Sequence, residues 1–194
     1  VRPRTKPTEE RRADLLDAAE AIAVERGVDA LTVDQVTARA GVSKGTFYLY
    51  FKSKDEVLEG LRDRYVAGFL VRQDAAVARA APGDHLARVQ EWVTSALVDY
   101  VEDHRLHDVV FQHRPPVEDA GEHLPVAAVA RLLDEGVAAG AFALPDPAAT
   151  AIVLYSAVHG AADHLIHSGE RTAPDRVVRE IRRLCRALLV PDSA

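Results

Sequence analysis

An all-α fold is what this sequence predicts, and three observations predict it. Nearly every segment carries its apolar residues at helical rather than alternating spacing. Hydroxyl and acidic residues stand just before those segments, and glycine or proline stands just after them. About nine helices result. They divide into a small front section of three helices, residues 1–54, and a larger helical body, residues 55–194.

The first helix spans about Thr8 to Arg26, with Leu15, Leu16, Ala19, Ile22 and Ala23 as its buried stripe. Gly27 follows where a left-handed cap is wanted. Thr32 caps the second helix, Gln35 completes a capping box, and Gly41 ends it after about two turns. Ser43 caps a third short helix that ends near Phe51. Ser53 and Glu56 form another capping box, opening a long helix from about Lys54 to Ala80 that Pro82-Gly83 breaks. Asp84 caps the next helix, to about His104. A short helix to His113 is then stopped by Pro115-Pro116, and RPPVEDAGEH is the one long loop. Helices follow from about Pro125 to Ala139, from Ala148 to His167, and from Pro174, at a first-turn position, to Leu189.

The formal net charge of −6 is unevenly spread. Through residue 54, ten Lys+Arg face eight Asp+Glu; beyond it, fourteen face twenty-two. Five of the basic residues lie in the first twelve positions: Arg2, Arg4, Lys6, Arg11 and Arg12. A basic front and an acidic body imply two tasks in two places. Apolar runs such as AIVLY are too short to span a bilayer, and the start VRPRTKPTEERR lacks the apolar centre of a signal peptide. Cys185 is the single cysteine and makes no internal disulfide. The expectation is a cytoplasmic protein with no membrane partner.

Two short helices joined by A-G-V-S are the spacing of a helix-turn-helix. In that motif the first residues of the second helix meet base edges in the DNA major groove. Here they are Lys44, Gly45 and Thr46. Lysine donates to guanine, glycine admits close backbone approach, and threonine hydrogen-bonds or touches a thymine methyl. Tyr48 shares the Lys44 face, Lys54 is placed to meet a phosphate, and Phe47 and Phe51 take the opposite, buried side. Ordinary helix pairs with a solvated basic face share this spacing, so the alternative stays open at this level.

From Leu31 to Leu58 the segment LTVDQVTARAGVSKGTFYLYFKSKDEVL resembles the amino-terminal DNA-binding domain of the TetR family of bacterial transcriptional regulators. With Ala18, Ala19 and Gly27 the resemblance covers roughly residues 10 to 60. It implies that Lys44, Gly45, Thr46 and Tyr48 face bases, and that Thr32, Ser43, Tyr50 and Lys54 hold the phosphate backbone. Tyr50 stands where many members carry histidine. Asp34 stands where some members place an arginine on a base, and an acid there accepts from cytosine or serves the helix start. The resemblance further implies a non-enzymatic, ligand-responsive regulator. Such a regulator is most often a repressor that binds a palindromic operator as a homodimer through its last two helices and is released by a small molecule. It implies no cofactor.

The body fits that layout. The penultimate helix carries Ala151, Ile152, Tyr155, Val158, Ala161, Ala162, Leu165 and Ile166, a stripe too broad for one-sided burial, with small residues around Gly160. The last carries Val177, Val178, Ile181, Leu184, Cys185 and Leu188. Two such helices per subunit make a four-helix seam. Candidates for a ligand pocket are Tyr65, Phe69, Trp92, Ala96, Tyr100, Phe111, Phe142 and Tyr155, with His107 and His159 as polar groups; core packing explains each one singly.

His159, Asp163 and His167 fall at i, i+4 and i+8, a spacing by which side chains share a metal, and His107 or His113 is a candidate further ligand. A metal-responsive regulator is therefore an alternative, and a hydrolytic metal enzyme a remoter one that leaves residues 31–58 unexplained. Pocket lining, seam decoration and helix-end solvation are the plainer roles for these histidines.

Overall fold

The computed structural model describes residues 7–111, 120–168 and 174–190. Those residues hold nine α-helices and no strand. They are α1 (Thr8–Arg26), α2 (Val33–Ala40), α3 (Lys44–Tyr48), α4 (Lys54–Val77), α5 (His85–Glu102), α6 (His104–Phe111), α7 (Ala120–Ala138), α8 (Pro147–His167) and α9 (Pro174–Leu189). No helix among the described residues is long and apolar enough to cross a membrane. The basic arm with Arg2, Arg4 and Lys6, and His113 with the proline pair, lie outside the described residues.

The caps follow local chemistry. Thr32 accepts from the Gln35 amide at 3.2 Å, Ser43 from Thr46 at 3.1 Å, Asp84 from Ala87 at 2.9 Å and Asp146 from Ala149 at 2.9 Å. Gly41 is left-handed (φ 66°, ψ 35°), which turns the chain sharply between α2 and α3. Gly27 also has positive φ, but its ψ of 163° lies outside the left-handed helical region, and the chain passes into a 3-10 turn at Val28–Ala30. The Gln35 side chain does not return to close its capping box; its Oε1 is buried without a partner. At the start of α4, Ser53 accepts from the Glu56 amide, and Glu56 reaches back one residue further, to the amide of Lys52.

Three helices differ in extent from expectation. α3 has five residues rather than running to Phe51, because Leu49 and Tyr50 donate three residues back in tighter turns. α4 ends at Val77, where turns replace the helical ladder. α7 starts at Ala120 instead of Pro125, so the last four residues of the expected loop are helical and Pro125 sits inside the helix without an amide to donate.

The described residues fall into two compact units. One comprises 7–65 with 105–111. Its centre is Leu15, Leu16, Ala19, Ile22, Leu31, Val36, Phe47, Phe51, Val57 and Leu61, all nearly or fully buried. At Gly60 any side chain would press on Leu16 and Phe51, with ideal Cβ distances of 3.2 and 3.3 Å, so the glycine sets how closely α4 passes α1. The Arg12 guanidinium covers the Phe51 ring at 5.1 Å, and Arg64 pairs with Asp17 at 2.6 Å. The other unit comprises 66–104 and the described residues from 120 onward. α5 is its axis, packing through Val89, Trp92, Val93, Ala96 and Leu97 against α7, α8 and α9. Arg88 pairs with Glu135 on α7 at 2.6 Å. On α9, Arg182 pairs with Glu91 at 3.1 Å while its carbonyl accepts from Gln90 at 2.8 Å.

Candidate functional site

In the first unit the turn at Gly41 and the Ser43 cap fix where α3 begins. Burial then sorts its side chains. Phe47 and Phe51 are each 1% exposed and hold the helix down, while Lys44, Gly45, Tyr48 and Leu49 are exposed and Thr46 is half-buried. The Tyr48 ring stands edge-on to Phe47, centroids 5.4 Å apart, so a packed ring steadies an exposed one. The Thr46 and Ser43 hydroxyls lie 3.0 Å apart. A Cβ at Gly45 would meet nothing closer than the Ser43 hydroxyl at 3.7 Å. The chain itself does not require glycine there, and its absence of side chain leaves space toward the outside.

The residues expected to hold phosphates flank this helix. Thr32 and Ser43 are exposed, their oxygens accepting cap bonds; the Thr32 hydroxyl proton remains to be donated, while the Ser43 hydroxyl is also hydrogen-bonded to that of Thr46. Tyr50 is half-buried. Lys54 is half-buried too, and its ammonium donates to the Val28 carbonyl oxygen at 2.7 Å.

Sequence reasoning missed three features of this face. Lys44 and Asp34 form an ion pair at 2.5 Å, and the hydrogen bond that Lys44 donates to Asp34 holds its ammonium above its usual range. Arg39 forks onto Glu25 with two bonds of 2.7 Å, which lowers the Glu25 carboxyl and raises the guanidinium. Leu49 is 80% exposed beside Tyr48. No spacing rule announces pairings between elements.

The pocket candidates divide between the units. Phe69, Trp92, Tyr155, His159 and Tyr100 form a continuous aromatic chain in the second unit. Successive centroids are 5.9, 6.5, 5.9 and 4.6 Å apart, and Ala96 is buried on the same helix as Trp92 and Tyr100. Phe142 instead stands against His85 at 6.4 Å and fills the space at Gly136. Tyr65, His107 and Phe111 cluster within the first unit, with the Arg62 guanidinium 5.1 Å over Phe111.

Three buried polar atoms in the second unit lack partners: His85 Nδ1, and Trp92 Nε1 and Gln73 Oε1 on side chains 1% and 0% exposed. Gln73 gives its nitrogen to Asp99 at 2.7 Å. Buried orphans of this kind are uncommon and call for a reason. A polar residue one turn beyond Phe69 was the signal available in the sequence.

The histidine stripe does not converge on a metal. His159 turns to the Tyr100 and Tyr155 rings, and burial pushes its imidazole below the usual range, with Asp163 opposing. His167 and Asp163 pair at 3.1 Å on the exposed surface. Among the described residues no group of three or more His, Cys, Asp or Glu is arranged to hold a metal ion. Cys185 is fully buried, which pushes its thiol up to about 11.

Residues 15–61 match the family model described as bacterial regulatory proteins, tetR family. The HTH-type transcriptional activator FasR of Mycolicibacterium smegmatis is 34% identical over 110 residues, 55% of this chain and 48% of that protein. The chain spans about half the length of the curated relatives it matches. A protein of unknown function from Rhodococcus sp. RHA1 has the same fold, with a TM-score of 0.83 at 22% identity over 98% of this chain and all of that one. A transcriptional regulator FadR from Bacillus subtilis, solved in complex with stearoyl-CoA, superposes with a TM-score of 0.74 at 18% identity, over 89% of this chain and 96% of the other.

Proposed function

The chain belongs to the TetR family of bacterial regulatory proteins, and on that footing we propose that it is a homodimeric transcriptional repressor that leaves its operator when a small molecule binds. The observation that carries this reading is the face of α3. Lys44, Gly45 and Tyr48 are exposed there beside the half-buried Thr46, on a helix held by Phe47 and Phe51; in this reading those four meet base edges, and Thr32, Ser43, Tyr50 and Lys54 meet phosphates. Two such helices, one per subunit, enter successive major grooves ~34–36 Å apart.

The dimer forms through α8 and α9, whose outward faces carry Ile152, Val153, Leu184 and Leu188 as exposed large apolar residues. The effector binds in the body along the aromatic chain from Phe69 to Tyr100, and a FadR of similar fold forms a complex with stearoyl-CoA. It is an apolar molecule with a polar group to meet Trp92 Nε1 and Gln73 Oε1. It acts on the DNA face through α4, which contributes residues to both units, with a coupling of ~1–3 kcal/mol.

Selection of bound duplexes from random DNA, followed by titration at several salt concentrations, tests the reading. The expected result is a palindrome, bound with a log–log salt slope near −7 if the dimer neutralises ~8 phosphates. Recovery of no preferred sequence would refute it.

A further inference from the structure

We propose that Asp34 and Lys44 act together as one reader of a single G·C base pair in each half-site, the ammonium on the guanine edge and the carboxylate on the cytosine amino group. The proposal rests on the reading of α3 as a recognition helix and adds a residue from α2 to it.

Asp34 lies in the first turn of α2 and Lys44 opens α3, so the turn at Gly41 brings an acid and a base from two helices to 2.5 Å. Both side chains are largely exposed, 61% for Lys44 and 68% for Asp34, and the pair lies at the start of the helix whose other exposed residues are Gly45 and Tyr48. Asp34 is not needed as the cap of α2, because the Thr32 hydroxyl already accepts from the Gln35 amide. An exposed ion pair adds little to stability. Its placement therefore asks for another account.

Charge supplies it. A lone carboxylate on a phosphate-facing surface repels DNA of every sequence. Held against Lys44, it becomes half of a neutral donor–acceptor unit. The major-groove edge of a G·C pair offers two acceptors, guanine N7 and O6, and one donor, the cytosine amino group. The cytosine donor and guanine O6 are Watson–Crick partners about 2.9 Å apart, a spacing close to that of the ion pair. The ammonium has three donors for the guanine acceptors, and the carboxylate only accepts. An A·T pair fits worse. Its one amino donor stands between adenine N7 and thymine O4, so a carboxylate brought to it meets an acceptor on either side.

Selection from randomised duplex DNA with the unaltered chain, Asp34→Ala and Asp34→Asn tests this. The expected result is a palindrome containing one strongly preferred G·C pair per half-site. Asp34→Ala relaxes that preference about tenfold or more, the scale of a good base contact, and leaves the other positions unchanged. Asp34→Asn, which can pair with adenine N6 and N7, moves tolerance at that position toward A·T. Unshifted thermal melting of both variants confirms that the domain is intact. Two results overturn the proposal while sparing the regulator reading: Asp34→Ala binding all sequences more tightly with preferences intact, or an unaltered preference. A wild-type chain that enriches no sequence overturns both.

Discussion

The ammonium of Lys54 donates to the carbonyl oxygen of Val28, 26 residues earlier, at 2.7 Å. The start of α4 is thereby tied to the 3-10 turn that follows α1. An ammonium has three donors, so one is used inside the protein and two remain for a phosphate. A residue taken from the sequence for a DNA contact is also a brace within the domain. Lys54→Ala is expected to lower stability by about 1 kcal/mol in urea unfolding. It should also reduce the magnitude of the salt slope by ~0.9 for each phosphate that is no longer neutralised. A stability loss with an unchanged slope would leave Lys54 as a brace alone.

Trp92 is the only tryptophan in the chain, and its indole nitrogen is buried without a partner. Its fluorescence therefore reports directly on the aromatic chain. A ligand that releases DNA is expected to shift or quench that emission on binding. Trp92→Phe should weaken the ligand about tenfold, the worth of one hydrogen bond, by calorimetry. Unfolding free energy should move by less than ~1 kcal/mol, because the deletion also removes an unsatisfied buried donor. Unchanged ligand affinity in the variant would place the binding site elsewhere.

Burial pushes His159 below its usual value of 6.5, with Asp163 opposing. Above that value the imidazole is neutral in folded and unfolded chains alike, and nothing is lost. As pH falls through it, the unfolded chain takes up the proton first, so stability declines until the lower folded value is passed. Melting temperature should fall as pH drops through about 6.5, and His159→Gln should remove part of that fall. Parallel curves for the two proteins would refute the assignment.

Leu184 and Leu188 are each 49% exposed on α9, and Ile152 and Val153 are exposed on α8. Leu184→Glu with Leu188→Glu should dissociate the dimer in sedimentation, with little change in helix content, and weaken operator binding by at least tenfold through loss of the second half-site. A dimer that survives both charges would place the seam on another face.

The bounds of α1 and α9, and the caps at Thr32, Ser43 and Asp84, were legible because each depends on neighbours within one turn. The buried role of Phe47 and Phe51 followed from their four-residue spacing. What escaped was every feature set between elements: the Asp34–Lys44 pair, the Lys54 brace, the fork of Arg39 on Glu25, and the burial of Gln73. The early start of α7 escaped for the opposite reason. Pro125 is a strong local signal, and the helix continues through it. Among the aromatic pocket candidates Tyr65, Phe69, Trp92, Tyr100 and Phe142 are buried and Phe111 and Tyr155 half-buried, but periodicity says which side of its own helix a ring takes and not which ring it meets.

Phe47 is the only fully buried residue among the five of α3. Lys44, Gly45 and Tyr48 bear almost none of the domain's packing, so on the proposed reading substitutions there change the sequence recognised without endangering the fold. Gene duplicates of such a chain are free to drift apart in the promoters they answer to while Phe47 and Phe51 stay fixed. The divergence of new regulatory circuits from such a chain is then limited by selection on DNA sequence, and hardly at all by selection on protein stability.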